Sequence, residues 1–179
     1  MNSSKKNFIQ KHHIKRLYVR FFDVVRDADG EIMPNATLQF DTADEKRTTE
    51  EKEKESLMPK GMEIIPVVYI VNDCFKANTK TNPIRNDKSG RKSSDETPRQ
   101  LADKILNRIL QMNEANDIEN VKEIQIDCDW TASTQEAYFE FLHFLKEKAK
   151  DKQIQLSATI RLHQLSMTPP PVDRGILMM

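Results

Sequence analysis

Three observations predict an α/β fold with a parallel sheet wound as part of a barrel. From about Met62 onward, apolar runs that suit strands alternate with amphipathic stretches that suit helices. Three of the strand-like runs have one apolar face and one mixed or polar face, whereas a sheet covered by helices on both sides needs two apolar faces. No nucleotide fingerprint favours an open doubly wound sheet: Gly occurs only four times, and neither G-x-x-x-x-G-K nor G-x-G-x-x-G is present. The predicted class is therefore a partial (β/α) TIM-barrel-like sheet of about five strands.

The first strand is Ile14 to Val25, "IKRLYVRFFDVV", rich in β-branched and aromatic residues and followed by the turn signal "DADGE". Residues 1–13 form a basic tail in which His12 and His13 are expected to be solvated. A charged insertion at 42–60 lacks the apolar stripe a packed helix needs, and solvated helix and disorder both stay open for it. "MEIIPVVYIVNDCF", Met62 to Phe75, reads as a strand covered on both faces, although Pro66 removes a ladder donor. A second polar insertion occupies 76–97; loops this long in a compact domain are usually functional or disordered.

"TPRQLADKILNRILQM" follows, with Thr97 as N-cap and Pro98 at the first helical position. Leu101, Ile105, Ile109 and Met112 share a face, with Leu106 and Leu110 beside it. "VKEIQIDCDW" is the next strand, and Ser133 or Thr134 caps a helix that aligns Tyr138, Phe141, Leu142 and Leu145. "IQLSATIRLHQL" is a further strand, "TPPPVD" ends it, and "RGILMM" begins another. Residues 14–179 thus form one barrel-like domain with two charged insertions.

Composition narrows function by exclusion. The 179 residues carry a formal net charge of zero, which gives no electrostatic reason to expect nucleic acid or an anionic membrane surface. The hydrophobic fraction is 37% and mean hydropathy is −0.69, with the polarity concentrated in the insertions. Cys74 and Cys128 are the only cysteines, and neither belongs to a C-x-x-C, which argues against a zinc site or redox pair while leaving a single bridge open. No cofactor is expected. The basic N-terminus lacks the apolar stretch of a signal peptide, and no run reaches the ~18–20 apolar residues of a membrane helix. A cytoplasmic location is the expectation for the chain as written, with export expected of longer relatives.

Strand alternation picks out the candidate site. In Glu123–Asp129, Ile124, Ile126 and Cys128 share the helix-facing side, and Gln125, Asp127 and Asp129 the other. In Leu156–His163, Leu156, Ala158, Ile160 and Leu162 oppose Ser157, Thr159, Arg161 and His163. In the first strand, Leu17, Val19 and Phe21 oppose Tyr18, Arg20 and Phe22. A barrel places its chemistry at the C-terminal mouth of the sheet, where Asp127, Asp129, Arg161 and His163 would gather, with Asn72 and Arg20 nearby.

Asp127 and Asp129 are the catalytic candidates. Two residues apart on one face, they lie roughly 6.5–7 Å apart at Cα, and like charges that close tend to raise one pKa. The bland alternative pairs them with Arg161 or Arg20 to hold the mouth together. Metal ligation with His163 has no supporting motif, so no metal is expected. Trp130 either stacks on a sugar ring or is buried against the following helix.

"IQIDCDWTAST", a helix containing "YF", "LSATIRLHQ" and "PPVDRG" together resemble a family of bacterial proteins of unknown function, itself similar to glycoside-hydrolase TIM barrels. The resemblance covers most of the chain from the first strand to Met179, outside the insertions. It implies a glycoside-hydrolase-like barrel that acts on or binds carbohydrate. At the mouth of such a barrel, strand position makes Asp127 and Asp129 the acid/base candidates, with Arg161 and His163 positioning substrate, Trp130 stacking on it, and Arg20 and Asn72 as further contacts. The rhythm is also similar to the D-x-D-x-E of chitinase-like barrels. The Glu position falls on Thr131, however, and a hydroxyl cannot protonate a leaving glycosidic oxygen as a carboxylic acid can.

A complete barrel has eight strands and typically ~250 residues. Five candidate strands therefore predict a truncated copy of a longer protein, with an exposed strand edge and marginal stability alone. The functional expectation is a glycoside-hydrolase-like carbohydrate domain. The alternatives are a non-catalytic binding domain and an inactive fragment.

Overall fold

The computed structural model describes residues 3–39, 62–76 and 97–178. Helix α1 spans Ser3–Lys11, and strands β1 (Arg16–Arg26) and β2 (Ile32–Asn35) form a hairpin. β3 (Glu63–Ile70), α2 (Pro98–Ala115), β4 (Glu123–Asp127), α3 (Gln135–Asp151), β5 (Gln155–Arg161) and β6 (Arg174–Met178) follow, with 3-10 turns at Asn72–Phe75 and Leu162–Ser166. Among the described residues the fold is mixed α/β, a six-stranded, mostly parallel open sheet with three α-helices.

Strand order is β2-β1-β3-β4-β5-β6. β1, β3, β4, β5 and β6 are parallel, and each neighbours the next in sequence; only β2 runs antiparallel, at the edge. Strands that always step the same way have all their right-handed crossovers on one side of the sheet. Accordingly Ile64, Val68, Ile70, Ile124, Ile126 and Leu156 share one core with Leu101, Ile105 and Ile109 of α2 and with Tyr138, Phe141, Leu142 and Leu145 of α3. The apolar spacing of both helices is what seats them there.

Local signals set the element ends. The Thr97 hydroxyl accepts the Gln100 amide at 3.3 Å, and the Gln100 side chain accepts the Thr97 amide at 3.0 Å, a reciprocal capping box with Pro98 at the first position. After β1, Asp27 Oδ1 accepts the amides of Asp29 and Glu31 at 2.9 and 2.8 Å, and Gly30 takes φ 91° to close the turn. Pro66 is accommodated because the β4 ladder begins only at Val67, so the missing donor falls where β3 has one neighbour.

Four expectations change. The tail at 1–13 contains α1, although His12 and His13 are exposed. Among the described residues the sheet has six strands rather than about five, because the DADGE turn leads into a further strand, β2. The register of β1 slips between Arg20 and Phe22, which aligns Phe22 with Val68 on the helix side, where the Arg108 guanidinium of α2 covers its ring at 5.1 Å. β5 ends at Arg161, so Leu162, 61% exposed, and His163 belong to the following 3-10 turn rather than to alternating strand faces. The charged insertions at 42–60 and 76–97 lie almost entirely outside the described residues.

The face away from the helices is concave. β1 and β6 are four steps apart, about 19 Å across a flat sheet at ~4.8 Å per step. Even so, the Arg174 guanidinium of β6 donates to the Tyr18 hydroxyl of β1 at 2.7 Å. The sheet must curl to bring them together. The same Arg174 nitrogen donates to the Glu123 carboxylate on β4, at 2.6 Å to Oε1. Glu123 is buried, so its charge is matched where it would otherwise be costly.

Candidate functional site

The concave face is polar at the C-terminal ends of its strands. Register sets Asp23 of β1 beside Tyr69 of β3, and Tyr69 beside Asp127 of β4. The bulge in β1 is the reason Asp23 joins this row: without the slip it would point towards the helices.

Two ion pairs form the centre. Asp127 Oδ1 accepts the Thr159 hydroxyl at 2.7 Å and the Arg161 guanidinium at 3.0 Å. Beside it, Arg20 grips both carboxylate oxygens of Asp23, with Nε to Oδ1 at 2.6 Å and Nη2 to Oδ2 at 2.7 Å. The Arg20 guanidinium also lies 4.6 Å from the centre of the Tyr69 ring. The hydrogen bond to Asp23 raises the Arg20 pKa against the lowering effect of burial, and the charges of Asp23 and Asp127 add to the rise. Asp127 and Asp23 are only 18% and 15% exposed, so both pairs are partly shielded from water.

Asp129 and His163 stand apart on the rim. β4 ends at Asp127, so Asp129 sits in the loop beyond, 3.5 Å from His163 Nε2. Both are more than half exposed, at 58% and 54%. Buried Gln164 holds this rim: its Oε1 accepts the Arg161 amide at 2.8 Å, and its Nε2 donates to the Trp130 carbonyl at 2.9 Å.

Trp130 cannot stack on a ligand. Its side chain is 0% exposed and lies against Tyr138 and Phe139 of α3, with ring centres 6.0 and 5.1 Å away. A Trp one residue beyond a rim aspartate reads equally as platform or core, and the apolar start of α3 claims it. Asn72 also serves the framework. Its Oδ1 accepts the Thr134 hydroxyl at 2.6 Å, tying the end of β3 to the start of α3. Thr131, in the position of the chitinase-like Glu, has its amide on Thr134 Oγ1 at 3.0 Å and its hydroxyl 3.0 Å from that of Ser133.

Of the seven candidates, Arg20, Asp127 and Arg161 converge at the centre and Asp129 and His163 at the rim. Trp130 and Asn72 are absorbed into the supporting structure. Sequence reasoning missed Asp23, Tyr69, Thr159 and Gln164 as members of the site. Thr159 was on the correct face in the alternation pattern and could have been named, whereas Asp23 is legible only once the bulge is known. Cys128 is buried on the helix side, and burial pushes its thiol pKa far up, which makes it a poor nucleophile. Among the described residues, no three His, Cys, Asp or Glu side chains are placed to hold a metal ion.

Comparison with family models, with curated proteins and with solved structures finds no match to this chain.

Proposed function

We propose that the curved sheet is part of the wall of a (β/α) barrel and that its concave, C-terminal end binds carbohydrate. The observation that carries this reading is the Asp127–Thr159–Arg161 cluster beside the Arg20–Asp23 pair, five polar side chains on one concave face. Such an array offers fixed acceptors and donors to hydroxyl groups, and its internal pairing fixes the geometry before ligand arrives. The sequential strand order, the helices on one side and the curl that joins Tyr18 to Arg174 support the barrel. The resemblance of "IQIDCDWTAST" and "LSATIRLHQ" to a bacterial family similar to glycoside-hydrolase barrels supports the ligand class.

Binding is favoured over hydrolysis. Asp127 Oδ1 already accepts two hydrogen bonds, which suits an acceptor rather than a proton donor. Asp129, paired loosely with His163, is the remaining carboxyl for acid catalysis. Titration of the protein with an oligosaccharide panel by calorimetry, with reducing-sugar release followed in parallel, tests both readings. Saturable binding that weakens in Asp127→Asn, without turnover, is expected. Binding to no glycan, or unchanged affinity in the variant, removes the proposal. Turnover lost in Asp129→Asn would replace it with hydrolysis.

A further inference from the structure

We infer that this site selects uncharged sugars and rejects those that carry a carboxylate, an inference that rests on the carbohydrate reading above. Proteins recognise ligand carboxylates chiefly with an available Arg fork. Here the Arg20 fork is already spent on both oxygens of Asp23, and one face of its guanidinium is set against Tyr69. Arg161 is turned to Asp127, whose same oxygen also holds Thr159.

A uronate that takes the Arg20 fork would displace Asp23, and one that draws the Arg161 guanidinium to itself would weaken its hold on Asp127. Each is largely shielded, so the displaced carboxylate would lose its partner without regaining full hydration. The incoming charge would also face Asp23, Asp127 and, at the rim, Asp129. Neutral hydroxyls escape both costs. They donate to the outer lone pairs of the carboxylates and accept from the remaining guanidinium hydrogens, and no ion pair opens. The paired charges thus act as a filter as well as a binding surface.

The test compares a neutral oligosaccharide with its uronate counterpart by calorimetry, in wild type and in Asp23→Asn. The substitution keeps the side-chain shape and frees the Arg20 fork. Wild type should bind the neutral ligand at least about tenfold more tightly, and Asp23→Asn should narrow or reverse that ratio. Equal or tighter uronate binding by wild type overturns the inference while leaving the carbohydrate reading intact. So does an Asp23→Asn variant whose preference is unchanged. Failure of both ligands, and of the wider panel, overturns the carbohydrate reading and this inference with it. A salt series on wild type covers the case in which Asp23→Asn does not fold. Affinity for the neutral ligand should be insensitive to salt, and the neutral-to-uronate ratio should fall as salt screens the share due to repulsion; a ratio that does not change with salt would count against the charge filter.

Discussion

Arg174 on β6 bridges Tyr18 on β1 and Glu123 on β4, and so joins three strands across the concave face. The two ionic partners are unequal: Arg174 is 42% exposed, whereas Glu123 is 3% exposed. Removal of one is therefore not equivalent to removal of the other.

Arg174→Ala should destabilise the fold by about 2–3 kcal/mol, because it leaves a buried carboxylate without its cation. Glu123→Gln should cost less, about 1 kcal/mol, since the guanidinium can turn to water. Urea unfolding at neutral pH measures both. A larger loss for Glu123→Gln would contradict the asymmetry.

The Asp127 carboxylate anchors Thr159 and Arg161, so Asp127→Asn should weaken ligand binding about tenfold with little change in circular dichroism. Thr159→Val should weaken it less, because Arg161 still holds the acceptor. Equal affinities in all three proteins would show that the cluster is architectural.

Trp130 is the only tryptophan and is fully buried. Its fluorescence should resist external quenchers in the native protein and change little on saturation with ligand. Trp130→Ala should cost about 3–5 kcal/mol through the cavity it leaves under α3. Strong quenching by ligand would mean that the indole lines the site after all.

Asp173 clips the crossover before β6 to the start of β5. Its Oδ2 accepts the Leu156 amide at 2.8 Å, and its Oδ1 meets Lys146 of α3 at 2.8 Å. Burial raises its pKa, but the Leu156 amide and the Lys146 ammonium outweigh that and hold the carboxyl below its usual value. A depressed carboxylate contributes stability that is present above the unfolded-state pKa and is lost as pH falls through the folded one. Asp173→Asn should therefore cost about 1 kcal/mol at neutral pH, with the difference fading below about pH 4. The carboxylate is more than a third exposed, which keeps the ionic share small. A difference that grows in acid would refute the assignment.

Residue order alone was enough for β3, β4, β5, α2 and α3, since their apolar periodicity and the Thr97–Pro98 cap act within a few residues. It also put Asp127 and Arg161 on one face, because alternation is a local property of a strand. The membership of the site was not local. One bulge in β1 sent Phe22 to the helices and brought Asp23 to Arg20. The end of β5 at Arg161 moved His163 to the rim, and the aromatic start of α3 drew Trp130 out of reach of ligand. Register, strand termination and burial are decided by contacts between segments far apart in the chain, such as Gln164 with the Trp130 carbonyl or Tyr18 with Arg174. The sequence by itself therefore determined β3, β4, β5, α2 and α3 and the polar side of the sheet. Only the tertiary structure decided which charges meet, because pairing across strands depends on registers that no single segment encodes.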